Sequence, residues 1–189
     1  MAVELRKGQK VNLEKNTPLT GEILINLNWS KGSGSNAVDL DLGCLYELTD
    51  GRKSCVQALG NTFGDFNNPP YIVLDGDDRT GESDTGENLR VNSSKLPEIK
   101  KILVYTFIYD GIANWRDADG VVTIKCPGTQ DVIIRMDEFS TSQRMCAIAM
   151  LENVRNHTFS VEKIVSFFND HPSMDKFFGW GLHWKPGRK

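Results

Sequence analysis

Helical periodicity is scarce in this sequence of 189 residues, and several other features are missing with it. No stretch approaches the ~18 consecutive apolar residues that a membrane-spanning helix needs, so no membrane span is expected. The opening residues, MAVELRKGQKV, alternate charge and apolarity without the apolar core or small-residue cleavage site of a secretory leader. Export is not signalled, and a cytoplasmic location is expected. Positive charge is not in excess either: 22 Lys and Arg against 25 Asp and Glu give a formal net charge of −3. That balance supplies no basic field to draw in nucleic acid, and no nucleic-acid partner is expected. Cysteine is sparse. Cys44, Cys55, Cys126 and Cys146 stand far apart with no Cys-x-x-Cys pair. In a reducing compartment they read as four buried thiols, each among apolar residues, rather than as two disulfides. His157, His171 and His183 are scattered without a second ligand at metal spacing, and read as structural or exposed. Lys31-Gly-Ser-Gly-Ser35 lacks the Gly-Lys-Ser/Thr ending of a phosphate-binding loop and reads as a turn.

What is present is alternation. Ile23, Ile25, Leu27 and Trp29 occupy every second position, with Leu24, Asn26 and Asn28 between them, as in a strand with one buried face. Similar runs recur at 39–47, 54–59, 71–74, 102–109, 121–126, 131–136 and 145–152. Turn-forming clusters punctuate them at 31–36, 49–51, 67–70, 117–120 and 127–128. Eight or more short strands so punctuated predict an all-β fold, a two-sheet antiparallel β-sandwich, as one domain over 1–189. A short C-terminal helix is expected, capped by Thr158 or Ser160 and running to about Asp170. It would bury Val161, Ile164, Val165 and Phe168 and stop before Pro172. A final strand then places Trp180, Leu182 and Trp184 on one face.

The most unusual segment is 75–87, Asp-Gly-Asp-Asp-Arg-Thr-Gly-Glu-Ser-Asp-Thr-Gly-Glu. Six carboxylates and one arginine give it a charge of −5, so the rest of the chain sums to +2. Such crowding repels itself unless water or a cation compensates it. Calcium suits the chemistry: a hard cation taking roughly 6–8 oxygen ligands in flexible geometry, from carboxylates and backbone carbonyls alike. Zinc would prefer nitrogen and sulfur, and the segment has no His or Cys. The EF-hand register fails, because counting from Asp75 or Asp77 places Arg79 or Gly81 at ligand positions. On composition alone a solvated acidic loop accounts for the segment equally well.

Val38-Asp39-Leu40-Asp41-Leu42 adds a second signal. The two-residue period of a strand puts Asp39 and Asp41 on one face, about 7 Å apart, with Val38, Leu40 and Leu42 on the other. Paired carboxylates on an apolar strand need an arginine, backbone amides or a metal as partner.

The ordered motifs at 5–13, 27–29, 39–42, 76–87 and 95–104 resemble those of the TerD-like tellurium-resistance and bacterial stress protein superfamily. The ending Phe178-Gly-Trp-Gly-Leu-His-Trp-Lys-Pro-Gly-Arg188 is more similar to the TerA branch of that superfamily. The resemblance implies a β-sandwich binding one or two Ca2+ ions between the Asp-x-Asp strand and the acidic loop. Asp39, Asp41, Asp77, Asp78, Glu82, Asp84 and Glu87 are the implied ligands. Asp78, Ser83, Gly86 and Asn88 depart from the family pattern, leaving the end of the loop less acidic. The implied role is non-enzymatic: a calcium-dependent interaction module working with other stress and tellurite-resistance proteins, with peripheral membrane association only through partners. Two alternatives stand beside it, a calcium-dependent phosphoester hydrolase using the same acidic cluster and a metal-free structural domain.

Overall fold

A computed structural model describes residues 2–13, 16–30, 38–75, 86–111, 113, 115–136 and 141–187. Thirteen strands, two α-helices and a 3-10 helix (Ser93–Glu98) are assigned within them. The first half holds β1 (Ala2–Glu4), β2 (Lys10–Asn12), β3 (Glu22–Asn28), β4 (Val38–Leu48), β5 (Lys53–Val56), β6 (Gly64–Asp65), β7 (Ile72–Leu74) and β8 (Glu87–Asn92). The second holds β9 (Ile99–Gly111), the one-turn α1 (Trp115–Ala118), β10 (Val121–Lys125), β11 (Asp131–Arg135), β12 (Met145–Val154), β13 (Thr158–Phe168) and α2 (His171–Phe178).

The strands form two sheets, ordered β1-β11-β10-β3-β8-β7-β6 and β2-β13-β12-β9-β4-β5. Ladders are antiparallel except for β1, which runs parallel to β11, so the larger sheet is mixed at that edge rather than wholly antiparallel. One apolar core lies between the sheets. Ile23, Ile25 and Leu27 of β3 meet Leu40, Leu42 and Cys44 of β4, with Ile102 and Val104 of β9 alongside, all fully buried. Alternation produces this layer directly, since every second residue of each strand points inward. Thr106 also points into the core, opposite Leu42 on β4, and its buried hydroxyl lacks a hydrogen-bond partner among the described residues.

The six-stranded sheet is covered on its outer face too. Leu45, Leu103, Tyr105, Phe107, Met145 and Ala147 form a second apolar layer with Phe168, Met174 and Trp180. A Cβ built at Gly43 would stand 2.7 Å from the Tyr105 ring, so glycine there makes room for that ring across β4.

The expected helix at 158–170 is strand β13, paired with β12 on one side and β2 on the other. The register shifts between Ala147 and Ala149 of β12, and Val165 on the partner strand sits at φ 42°. Val161 and Val165 point into the core while the partly buried Ile164 and the buried Phe168 pack on the outer layer, so apolar residues on both faces at 161, 164, 165 and 168 imitate the spacing of a helical face. The helix itself comes later. Asp170 caps α2 through a capping box with Ser173, Pro172 sits in its first turn, and Gly179 ends it in the left-handed region at φ 69°. Pro172 thus starts a helix rather than stopping one.

The tail after α2 is irregular, not a final strand. Asp175, 4% exposed, organises it by accepting bonds from the Gly181 and Leu182 amides (2.6 and 2.9 Å) and from Trp184 Nε1 (2.9 Å). Trp180 is buried against the sheet, its indole N–H donating to the Tyr46 carbonyl at 3.0 Å. None of the described helices is long and apolar enough to cross a membrane.

Candidate metal centre

Four chain segments meet at one end of the sandwich: the start of β4, the end of β9, the end of β7 and the start of β8. The acidic segment 75–87 connects β7 to β8 at this end. Its two stems are fixed. The Asp75 amide donates to the Asn88 carbonyl at 2.9 Å, and the Asp75 carboxylate turns to Arg90, 3.4 Å away. Gly86 adopts φ 63°, and a Cβ there would lie 2.1 Å from the Leu27 carbonyl, so only glycine lets the chain return so close to β3. Asn28, Asn26 and Asn88 then form a chain of side-chain amide bonds of 2.6 and 2.8 Å along this rim.

Asp39 and Asp41 lie on β4 as the alternation predicts, on the face opposite Leu40 and Leu42. Asp41 is wholly buried and Asp39 partly so. Asp41 sits across from Phe107 of β9. Glu87, 3% exposed, reaches from β8 across to β4, where its Oε2 accepts a bond from the Leu42 amide at 2.6 Å. The last residue of the acidic segment is therefore tied to the peptide that follows Asp41. Asp77, Asp78, Glu82 and Asp84 lie outside the described residues. Among the described residues no group of three or more His, Cys, Asp or Glu side chains is placed to hold a metal ion.

A further carboxylate stands at this end that sequence reasoning missed. Asp110 of β9 lies opposite Asp39, and its Oδ1 accepts a bond from the Gly111 amide at 2.8 Å. Like charges directly across a ladder repel. The signal was available in Tyr109-Asp110-Gly111, an acid closing a long apolar run. Arg144 holds the strand end in place by donating to the carbonyls of Ile108 (2.9 Å) and Gly111 (3.0 Å).

The donor set is all oxygen, with a buried aspartate and a buried glutamate from different sheets. That chemistry fits a hard divalent cation and suits neither zinc nor a redox metal. His171 of α2 packs its ring against Phe107, the β9 residue across from Asp41, with centroids 4.9 Å apart. Cys44, Cys126 and Cys146 are buried, as expected, whereas Cys55 is only partly buried; all four are free thiols. Burial pushes the Cys44 thiol well above its ordinary value, which makes it inert.

The TerD domain profile matches residues 1–126. Tellurium resistance protein TerA from Alcaligenes sp is 44% identical over 199 residues, covering 95% of this chain and 58% of that protein. The chain thus spans little more than half the length of that relative. General stress protein 16U from Bacillus subtilis (strain 168) is 31% identical, over 72% of this chain and 75% of that protein. A solved homologue of the telluride resistance protein TerD from Streptomyces coelicolor A3(2) shares the fold with a TM-score of 0.60 at 18% identity. It covers 83% of this chain and 95% of its own.

Proposed function

The chain belongs to the TerD family, and from that premise we propose that it is a cytoplasmic, non-enzymatic, calcium-binding stress protein associated with tellurite resistance. In this reading it is an interaction module of a multi-protein complex whose engagement depends on bound Ca2+. The names of its relatives support the link to tellurium resistance and general stress. The observation that carries calcium is the Glu87–Leu42 bond, which joins the acidic segment to the Asp-x-Asp strand across the two sheets. Asp39, Asp41 and Glu87 would hold the ion together with Asp77, Asp78, Glu82 and Asp84, taking one or two ions. Bound calcium supplies the positive charge that these crowded carboxylates need. A buried carboxylate without such compensation opposes folding.

The test is calorimetric titration of chelator-stripped protein with calcium, with millimolar magnesium as competitor. Saturable binding of one or two ions is expected. Because an ion bound only by the native state stabilises by RT ln(1 + [L]/Kd), a hundredfold excess over Kd raises stability by about 2.7 kcal/mol. Asp41→Asn and Asp77→Asn should each remove most of that gain. Full retention of the calcium shift in both variants would disprove the shared site. Calcium-dependent turnover of bis(p-nitrophenyl) phosphate would overturn the non-enzymatic assignment.

A further inference from the structure

The outer face of the six-stranded sheet carries two adjoining clefts of about 480 and 450 Å3. Both lie between the chain after α2 and the segment 51–62 that contains β5. Cys55, His183 and Trp184 line both, so they are two lobes of one groove. Each volume falls within the range of small-molecule sites, roughly 300–1,000 Å3.

The walls are fixed before any ligand arrives. The Trp184 indole is held by Asp175 at one end, and its ring packs on the His171 ring with centroids 4.9 Å apart. His171 Nε2 lies 2.9 Å from Gln57 Oε1, which also accepts the Tyr105 hydroxyl at 2.7 Å. His171 is therefore the Nε2–H tautomer, donating to Gln57. Gly187 closes the far end: a Cβ there would lie 3.1 Å from Leu59 Cγ and 3.3 Å from the Gly60 nitrogen. A groove stiffened in this way loses little entropy on binding.

Its chemistry is aromatic with basic ends. Trp184 supplies ring surface above the buried Trp180, Lys53 stands in one lobe, Lys185 in the other, and exposed His183 lies between. Lys53 belongs to a group in which Glu47 is outnumbered by Lys53, Lys100 and Lys101, at 3.7, 2.7 and 3.5 Å, so that lobe keeps net positive charge. The acid on the wall, Asp170, is engaged as the α2 cap, accepting from the Ser173 amide at 2.8 Å. We propose that the tail of the chain builds a binding site for a small planar anion, an aromatic ring system carrying one acidic group. Its ring lies against Trp184 and its acid is directed to Lys185 or Lys53. Its lining shares no residue with the proposed calcium centre.

Cys55 provides the readout, because it lines both lobes and is the one thiol of the four that is not fully buried. The probe is 8-anilinonaphthalene-1-sulfonate, with N-phenyl-1-naphthylamine as the same ring system lacking the acid. Binding to the folded full chain is read by fluorescence, and alkylation of Cys55 by uncharged iodoacetamide is followed by peptide mass. The sulfonate is expected to saturate and to slow Cys55 alkylation about tenfold or more. It should also bind more tightly than the uncharged ring. Lys185→Glu and Lys53→Glu should each weaken the sulfonate roughly two- to fivefold, the size of one partly exposed ion pair, and leave the uncharged ring unchanged. Sulfonate binding without protection of Cys55 would overturn the proposal, as would equal affinity for both probes or no binding of either.

Discussion

The two outer faces of the sandwich solve the same problem in opposite ways. On the seven-stranded sheet most outward residues are polar, with Leu24, Val73, Val121 and Ile133 half-buried among them. Asn26, Asn28 and Asn88 bond to one another, and Arg90 pairs with Glu22 and Asp75 while lying over the Phe66 ring at 5.3 Å. Water covers that face. On the six-stranded sheet the outward residues of β4, β9 and β12 are apolar, and α2 with the tail covers them. The first face is complete within its own strands, whereas the second depends on a segment some 70 residues further along from Tyr105. A strand buried on both faces reads as a continuous apolar run, as 102–108 does, and such a run announces that a cover must exist without saying where it lies.

The sharpest way to break this difference is to unfasten the cover. Asp175→Ala removes the acceptor of three N–H donors and should cost about 3 kcal/mol in urea unfolding, since buried donors lose a charged partner. The covered face should also respond to acid. Burial lowers the His171 imidazole from 6.5 to about 4, against the opposing pull of Asp170. The unfolded chain therefore binds more protons than the folded one between those values. Stability from this group is complete above pH ~6.5 and is lost as pH falls toward 4. Allowing for the partial exposure of the ring, about 2 kcal/mol should disappear over that interval, and His171→Phe should unfold without that component. Between the sheets, Thr106→Val should raise stability by about 1 kcal/mol, because it replaces a buried hydroxyl lacking a described partner with a methyl of the same shape. The solvated face should hardly respond: Asn28→Ala is expected to change unfolding free energy by less than about 0.5 kcal/mol. An Asn28→Ala cost as large as that of Asp175→Ala would erase the contrast.

The sandwich was legible because β3, β4, β10 and β11 alternate, and the Asp-x-Asp face followed from the same period. β1, β2 and β6, of two or three residues each, are too short to show a period, and three longer elements were not read either. β13 was hidden because apolar residues on its two faces, Val161 and Val165 on one and Ile164 and Phe168 on the other, together copied a helical stripe. β8 was hidden because it emerges directly from the acidic segment and carries Glu87, Asn88 and Arg90 on a buried scaffold of Leu89 and Val91. The tail was misread because Trp180, Leu182 and Trp184 alternate like a strand. The Asp175 carboxylate, seven and nine residues earlier, fixes Leu182 and Trp184, and the Tyr46 carbonyl fixes the Trp180 indole, contacts no periodicity records. Of the candidate ligands, Asp39, Asp41 and Glu87 are brought to one end by topology. Asp110 joined them only through the cross-strand register, which the sequence does not display.

The chain's earliest strands are also among its latest to find partners. β1 and β2 are edges, one on each sheet, and Ala2 pairs with Asp131 while Val11 pairs with Val161. At the ~5–20 residues per second of protein synthesis, the ribosome takes roughly 8–30 s to travel from Val11 to Val161. For that interval β2 has no partner strand, and β1 waits until β11 has been made. They are three residues each, flanked by charge and only half-buried in the end, which suits a segment that must wait in water without recruiting another chain. The six-stranded sheet is closed at its β2 edge only after β13 has been made, and the seven-stranded sheet at its β1 edge only after β11, so two edges laid down early are closed late.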